Sequence, residues 1–228
     1  MCSHYESVKN RQILKSHFRI ENIPEGDKDD IWPGYLGLFL CKNSADNDDG
    51  HAFTQNSLLL GSFGLIPHWA NDTKISRSTY NARSETVADK PSFRDAWRTS
   101  RHCIIPADAI YEPDWRSGKA VPSRISRVDN KPLGIAGLWS AWQSPKGETI
   151  HSFTMLTINA DAHPLMRQFH KPADEKRMVV ILHDDQHDDW LNATINESKE
   201  FLRAYPADQL VSTANQTALP YNRSLFDT

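Results

Sequence analysis

Between Cys103 and Ile158 the chain passes through five short segments rich in Ile, Val, Trp and Thr: Cys103–Pro106, Ala109–Glu112, Val121–Val128, Leu133–Trp142 and Thr149–Ile158. Turn formers separate them, with little helix between. That pattern disfavours repeated βαβ units and predicts an antiparallel or mixed sheet. Ser57–Ile66 reads as a further buried strand ending at Pro67, and Arg177–Leu182 as another apolar strand. Helices are expected over Ser7–Phe18, Asp161–Phe169, Asp184–Leu191 and Ser198–Ala204. A short one is expected through Arg98, capped by Ser92, with Phe93, Ala96 and Trp97 on one face. Asp27–Asp30 and Asp46–Gly50 read as loops. The class is α+β and β-rich, and with no internal repeat or low-complexity linker one domain over 1–228 is expected.

Other classes are disfavoured. No apolar run approaches a membrane span, and the polar stretch from Met1 to Lys15 lacks the apolar core of a signal peptide, so a cytoplasmic protein without a membrane partner is expected. Cys2, Cys41 and Cys103 are odd in number and widely spaced, which argues for a reducing compartment rather than a disulfide framework. Gly61-Ser62-Phe63-Gly64 lacks the third glycine and the helix of a phosphate-binding loop. Asp46-Asn47-Asp48-Asp49-Gly50 has its glycine at the wrong offset for an EF-hand. His183 and His187 sit at i, i+4 with acids nearby but without a third ligand at a persuasive spacing, so a solvated helix start is favoured and no metal or other cofactor is expected.

Charge is unevenly placed. The net charge is −3, yet Lys74–Arg127 carries eleven Lys/Arg against six Asp/Glu, interleaved with Tyr80, Phe93, Trp97, Tyr111 and Trp115. Such a stretch suits a phosphate backbone and stacked bases as well as it suits a solvated surface over core aromatics.

Cys2 offers particular chemistry. Removal of Met1 would leave a residue bearing both a thiol and a free α-amine, with reference pKa values of about 8.5 and about 7.7–8.0. An aldehyde condenses with the amine to an imine, and the thiol then closes a thiazolidine ring. An internal cysteine cannot do this, because its nitrogen is held in an amide.

Cys2 is followed in order by Gly64-Leu65-Ile66-Pro67-His68-Trp69, Asn81-Ala82-Arg83-Ser84-Glu85-Thr86, Arg101-His102-Cys103-Ile104-Ile105-Pro106 with Tyr111-Glu112, and His170 with Arg177-Met178-Val179-Val180-Ile181-Leu182. Together these resemble the SRAP family, the SOS-response-associated peptidase-like proteins, over about 2–182. The resemblance implies a barrel-like, single-domain fold of mixed and antiparallel sheets with flanking helices, and makes 183–228 a helical and strand extension of the same domain. It also implies covalent trapping of abasic sites in single-stranded DNA, whose open form carries a C1′ aldehyde.

In that scheme Cys2 is the nucleophile, Glu112 handles the amine proton, Asn81 bonds the sugar or ring, and His170 is a general acid, with His163 as its alternative. Arg83 and Arg177 bind phosphate, Phe63 and Trp69 form a wedge or stacking surface, and His4 takes the place of a common arginine DNA contact. The chain departs from the usual pattern at His4, at Phe63 and Pro113 where tryptophan is frequent, and at the inserted run Lys171–Lys176. The expected partner is abasic single-stranded DNA, bound by a monomer. A thiol peptidase or autopeptidase built on Cys2, and a non-covalent single-strand-binding module, are the competing functions.

Overall fold

A computed structural model of the protein describes residues 2–42 and 56–214. Its strands, in chain order, are β1 (Tyr5–Glu6), β2 (Asp30–Ile31), β3 (Leu36–Lys42), β4 (Asn56–Phe63), β5 (Asn81–Arg83), β6 (His102–Ala107) and β7 (Ala109–Asp114). Then come β8 (Val121–Arg127), β9 (Leu133–Gln143), β10 (Thr149–Asn159), β11 (Arg177–Val179), β12 (Ile181–Leu182) and β13 (Leu210–Ala214). The helices are short: α1 (Arg11–Phe18), α2 (Arg94–Arg98), α3 (His187–Asn192) and α4 (Ile195–Ser198).

Five strands close on themselves in the order β10-β4-β3-β6-β9, with β9 pairing back to β10. Closure removes the exposed edges that an open sheet must protect. The β4–β10 pair is parallel and the other four contacts around the ring are antiparallel. The β-rich α+β fold expected from the strand pattern, and the barrel that the family resemblance implies, are therefore observed. Phe39, Phe63 and Phe153 meet in the core, with ring centroids 5.4 and 5.6 Å apart, and Tyr5 packs edge-on against Phe63. Trp190 of α3 plugs the outer side of β6, fully buried, with its Nε1 donating to Cys103 O at 2.9 Å.

The second sheet is antiparallel, in the order β2-β1-β7-β8-β13. A single residue, Asp108, separates barrel strand β6 from β7. The chain thus changes sheets in one step, and β7 carries its side chains to the seam between them.

All five strand segments predicted from Cys103 to Ile158 form, within one or two residues at each end. Arg177–Leu182 splits in two: β11 pairs with β10 and β12 with β9, while Val180 bridges the two, its N–H donating to Leu156 O. The helix predictions fare less well. Helix α1 begins only at Arg11, because Asn10 caps it through Gln12 N and Ile13 N while Ser7 bonds Asp27. Ser92 does not cap α2; Phe93 holds that place without a side-chain bond, although Phe93, Ala96 and Trp97 are buried as expected. Asp161–Phe169 yields only a 3-10 turn over Met166–Gln168, where His163 Nδ1 accepts from Leu165 N and Met166 N and competes with helical bonding. The helix expected over Ser198–Ala204 lies upstream, because Thr194 and Glu197 form a capping box; only a 3-10 turn, Lys199–Phe201, continues it. Of the predicted loops, Asp30 enters β2, and Asp46–Gly50 lies outside the described residues.

Gly64, at the exit of β4, has φ +123°, and a Cβ there would lie 1.8 Å from Ser76 O. Gly64→Ala is expected to destabilise the fold by about 3 kcal/mol or more, read as a lowered urea midpoint. A midpoint equal to that of the unsubstituted protein would show that the 3-10 turn bearing Ser76 gives way freely.

Candidate functional site

Strand β7 assembles the site. Tyr5 pairs with Ile110 and Glu6 with Ala109, and Tyr111 N donates to His4 O at 2.9 Å, so the N-terminal residues run alongside β7. At the far end of β7 an isolated bridge joins Asp114 to Phe169, and His170 N donates to Pro113 O at 2.9 Å. The third contributor is β5, held in parallel register on β10 by Met155–Asn81 and Thr157–Arg83.

These elements bring Cys2, Asn81, Glu112 and His170 to one place. Cys2 is buried, and Asn81 Nδ2 donates to its carbonyl at 2.7 Å. Glu112 is buried, with its Oε2 3.4 Å from His170 Nε2, which also lies 3.2 Å from Arg177 O. His170 has φ +65°, a left-handed conformation uncommon outside glycine and typical of functional sites. The alternative histidine, His163, is committed elsewhere: its Nε2 meets Tyr205 O at 2.8 Å and its Nδ1 caps the 3-10 turn.

Burial pushes the Cys2 thiol up to about 12, and the negative charge of Glu112 adds to the effect. The residue therefore stands as a neutral thiol, its Sγ 3.4 Å from His4 O as a donor. Asn81 Oδ1 is buried without a hydrogen-bond partner among the described residues, an acceptor available to a bound group.

The other predicted residues separate. His4 is sandwiched between Trp32 and Tyr111, at centroid distances of 4.1 and 4.2 Å and nearly parallel, and its Nε2 lies 2.7 Å from Asp30 Oδ1. Burial lowers its pKa against the pull of Asp30. Phe63 is wholly buried among Tyr5, Tyr80 and Phe153. Trp69 is 46% exposed, with Nε1 donating to Pro91 O.

Arg83 and Arg177 differ in setting, their side chains being 48% and 2% exposed. Arg177 donates to both oxygens of Glu85 at 2.8 and 2.9 Å, to Glu175 Oε1 at 2.9 Å and to Thr157 O at 2.7 Å. Arg83 Nη1 meets the other oxygen of Glu175 at 2.9 Å. Hydrogen bonds from Arg177 hold Glu85 and Glu175 below the usual carboxylate range.

Sequence reading missed Glu85 and Glu175 as partners of the arginines. It also missed the Glu6–Arg124 ion pair, at 3.0 Å, beside Tyr111, which donates to Glu6. The approach of Glu85 and Arg177, 92 residues apart, left no local signal.

The histidine pair near α3 also needs correcting. His187 is buried, not a solvated helix start, and burial lowers its pKa to about 4. His17 of α1, not His183, joins it: potential ligand atoms of His17, Asp184 and His187 lie within 4.8 Å of one another. Asp184 already pairs with Arg127, and with Lys131 at 3.5 Å, so a cation there would meet two like charges.

The barrel, the seam and the buried Cys2 define a class that comparison identifies. The description "SOS response associated peptidase (SRAP)" matches residues 1–219, and the chain belongs to this family. It is 37% identical over 218 residues to the abasic site processing protein YoqW of Bacillus subtilis, covering 92% of this chain and 90% of that protein. It is 26% identical over 197 residues to the abasic site processing protein HMCES of Xenopus tropicalis, covering 72% of this chain and 55% of that protein. A crystal structure of a Bordetella bronchiseptica protein superposes with a TM-score of 0.84 at 45% identity, covering 94% of this chain and all of that one.

Removing the Glu112 charge should lower the Cys2 thiol pKa, because it favours the thiolate. Glu112→Gln is therefore expected to label faster at Cys2 with iodoacetamide at fixed pH, followed by peptide mass spectrometry. Unchanged labelling would show that burial alone sets the thiol.

Proposed function

We propose that the protein captures abasic sites in single-stranded DNA covalently, with Cys2 as its first residue once Met1 is removed. One observation carries this reading: Cys2 is enclosed with Asn81 on its carbonyl and the buried Glu112–His170 pair beside it. The relatives are named for processing abasic sites. The α-amine adds to the C1′ aldehyde, and the carbinolamine loses water to give an imine. The thiol then adds across the imine: its sulfur bonds to carbon, its proton ends on nitrogen, and a thiazolidine remains. Water is the sole by-product, and no cofactor or metal takes part.

Glu112 takes the amine proton and returns it to the departing hydroxyl. His170 protonates the ring oxygen as the C1′–O4′ bond breaks, and the C1′ hydroxyl passes its proton to water, leaving the aldehyde. Asn81 holds Cys2 through Nδ2 and offers Oδ1 to the sugar or to the ring N–H. A thiol pushed up to about 12 fits amine-first attack, since the sulfur reacts last and brings its own proton. Arg83 lies two residues beyond Asn81 on the same face of β5, roughly 7 Å along the strand, and supplies a phosphate contact one step from the lesion. Trp69 remains the exposed aromatic for base stacking.

Thiol proteolysis fits less well. It needs an anionic thiolate paired with an imidazole, whereas Cys2 donates to His4 O and His170 engages Glu112 and Arg177 O.

Cys2→Ala keeps the amine and loses the thiol. Mixed with an oligonucleotide bearing one abasic site, the unsubstituted protein should give a band that survives heating on a denaturing gel. Cys2→Ala should give one only after borohydride trapping of the imine. A heat-stable band from untrapped Cys2→Ala would refute the mechanism. Glu112→Gln should crosslink at least about a hundredfold more slowly.

A further inference from the structure

We infer that Glu175 occupies the place of a DNA phosphate between Arg83 and Arg177, and that DNA must displace it, so that the inserted loop disfavours undamaged strands. The inference rests on the proposed role of the two arginines. Glu175 gives one carboxylate oxygen to each guanidinium, Oε2 to Arg83 and Oε1 to Arg177, both at 2.9 Å. A phosphodiester offers its two non-bridging oxygens in the same way.

The partners are unequally fixed. Arg177 is held by Glu85 and Thr157 whether or not Glu175 is present. Arg83 is about half exposed and has Glu175 as its acidic partner. Glu175 itself is 38% exposed, so water and ligand can reach it.

The loop that carries Glu175 is tied down by contacts that spare the arginines. Asp174 N bonds Lys171 O at 3.0 Å, Lys176 N bonds Asp161 Oδ1 at 3.1 Å, and Lys171 Nζ sits 5.1 Å over the Trp115 ring. Swinging one side chain therefore frees Arg83 without unfolding the loop. The insertion follows His170 directly, which sets this exchange beside the reacting residues. An intact strand must compete with an intramolecular carboxylate at high effective concentration. An abasic strand, once joined to Cys2, is itself intramolecular and competes on equal terms. Glu175 thus acts as a specificity-determining residue for damaged over undamaged DNA.

The test is fluorescence anisotropy with a short undamaged single-stranded oligonucleotide, with thermal midpoints confirming that each variant is folded. Glu175→Gln is expected to bind about fivefold more tightly than the unsubstituted protein. Arg83→Ala should bind more weakly, and in its background Glu175→Gln should lose most of its gain. If Arg83→Ala weakens binding but Glu175→Gln does not tighten it, displacement is wrong and the arginine reading stands. A full gain from Glu175→Gln in the Arg83→Ala background would reveal a general charge effect and overturn the inference. Unchanged binding by Arg83→Ala would remove the arginine reading, and this inference with it.

Discussion

The antiparallel pairing of β1 with β7 is the interaction on which the rest of the site depends. Chain termini ordinarily fray. Here two residue pairs, a backbone bond from Tyr111 to His4 O and the stacked rings of Trp32, His4 and Tyr111 hold the first residues against the seam between barrel and sheet. Because β7 follows barrel strand β6 after a single residue, the strand that pins the first residues at the seam also carries Glu112, and its far end anchors His170. The departure at position 4 acquires a structural meaning: a flat histidine fits the aromatic sandwich that fixes β1.

Burial then sets the chemistry. A thiol and a carboxylate share a buried pocket, and burial together with the Glu112 charge makes the Cys2 thiol harder to ionise. That suits the amine-first capture proposed above. It suits a thiolate-dependent protease poorly. Part of the positive charge counted along Lys74–Arg127 is paired. Arg124 pairs with Glu6, Arg127 with Asp129 and Asp184, Arg116 with Asp114 and Arg83 with Glu175.

The β architecture was legible because strand signals are local and dense. Thr149–Ile158 is dense in β-branched residues and Leu133–Trp142 in apolar ones, and they became the two longest strands. The helices were misread where a single side chain redirected the backbone: Asn10 delaying α1, His163 turning the chain at Leu165, and Thr194 starting α4 early. Phe63 and Trp69 looked equivalent as aromatic residues near a motif, yet one lies in the barrel core and the other stands at the surface. Only packing separates them.

The sequence by itself determined the residue types and their order: a cysteine at the second position, the strand-rich middle, and the motifs that carry Asn81, Glu112, His170 and the arginines. Those are properties of neighbours along the chain. Tertiary structure alone decided that these residues converge, that the thiol is harder to ionise, that His4 and Phe63 are buried, that His17 joins Asp184 and His187, and that Glu175 bridges Arg83 and Arg177. The reason is physical. Desolvation and ion pairing depend on distances between groups many residues apart, and those distances exist only once the barrel has closed and β7 has crossed the seam.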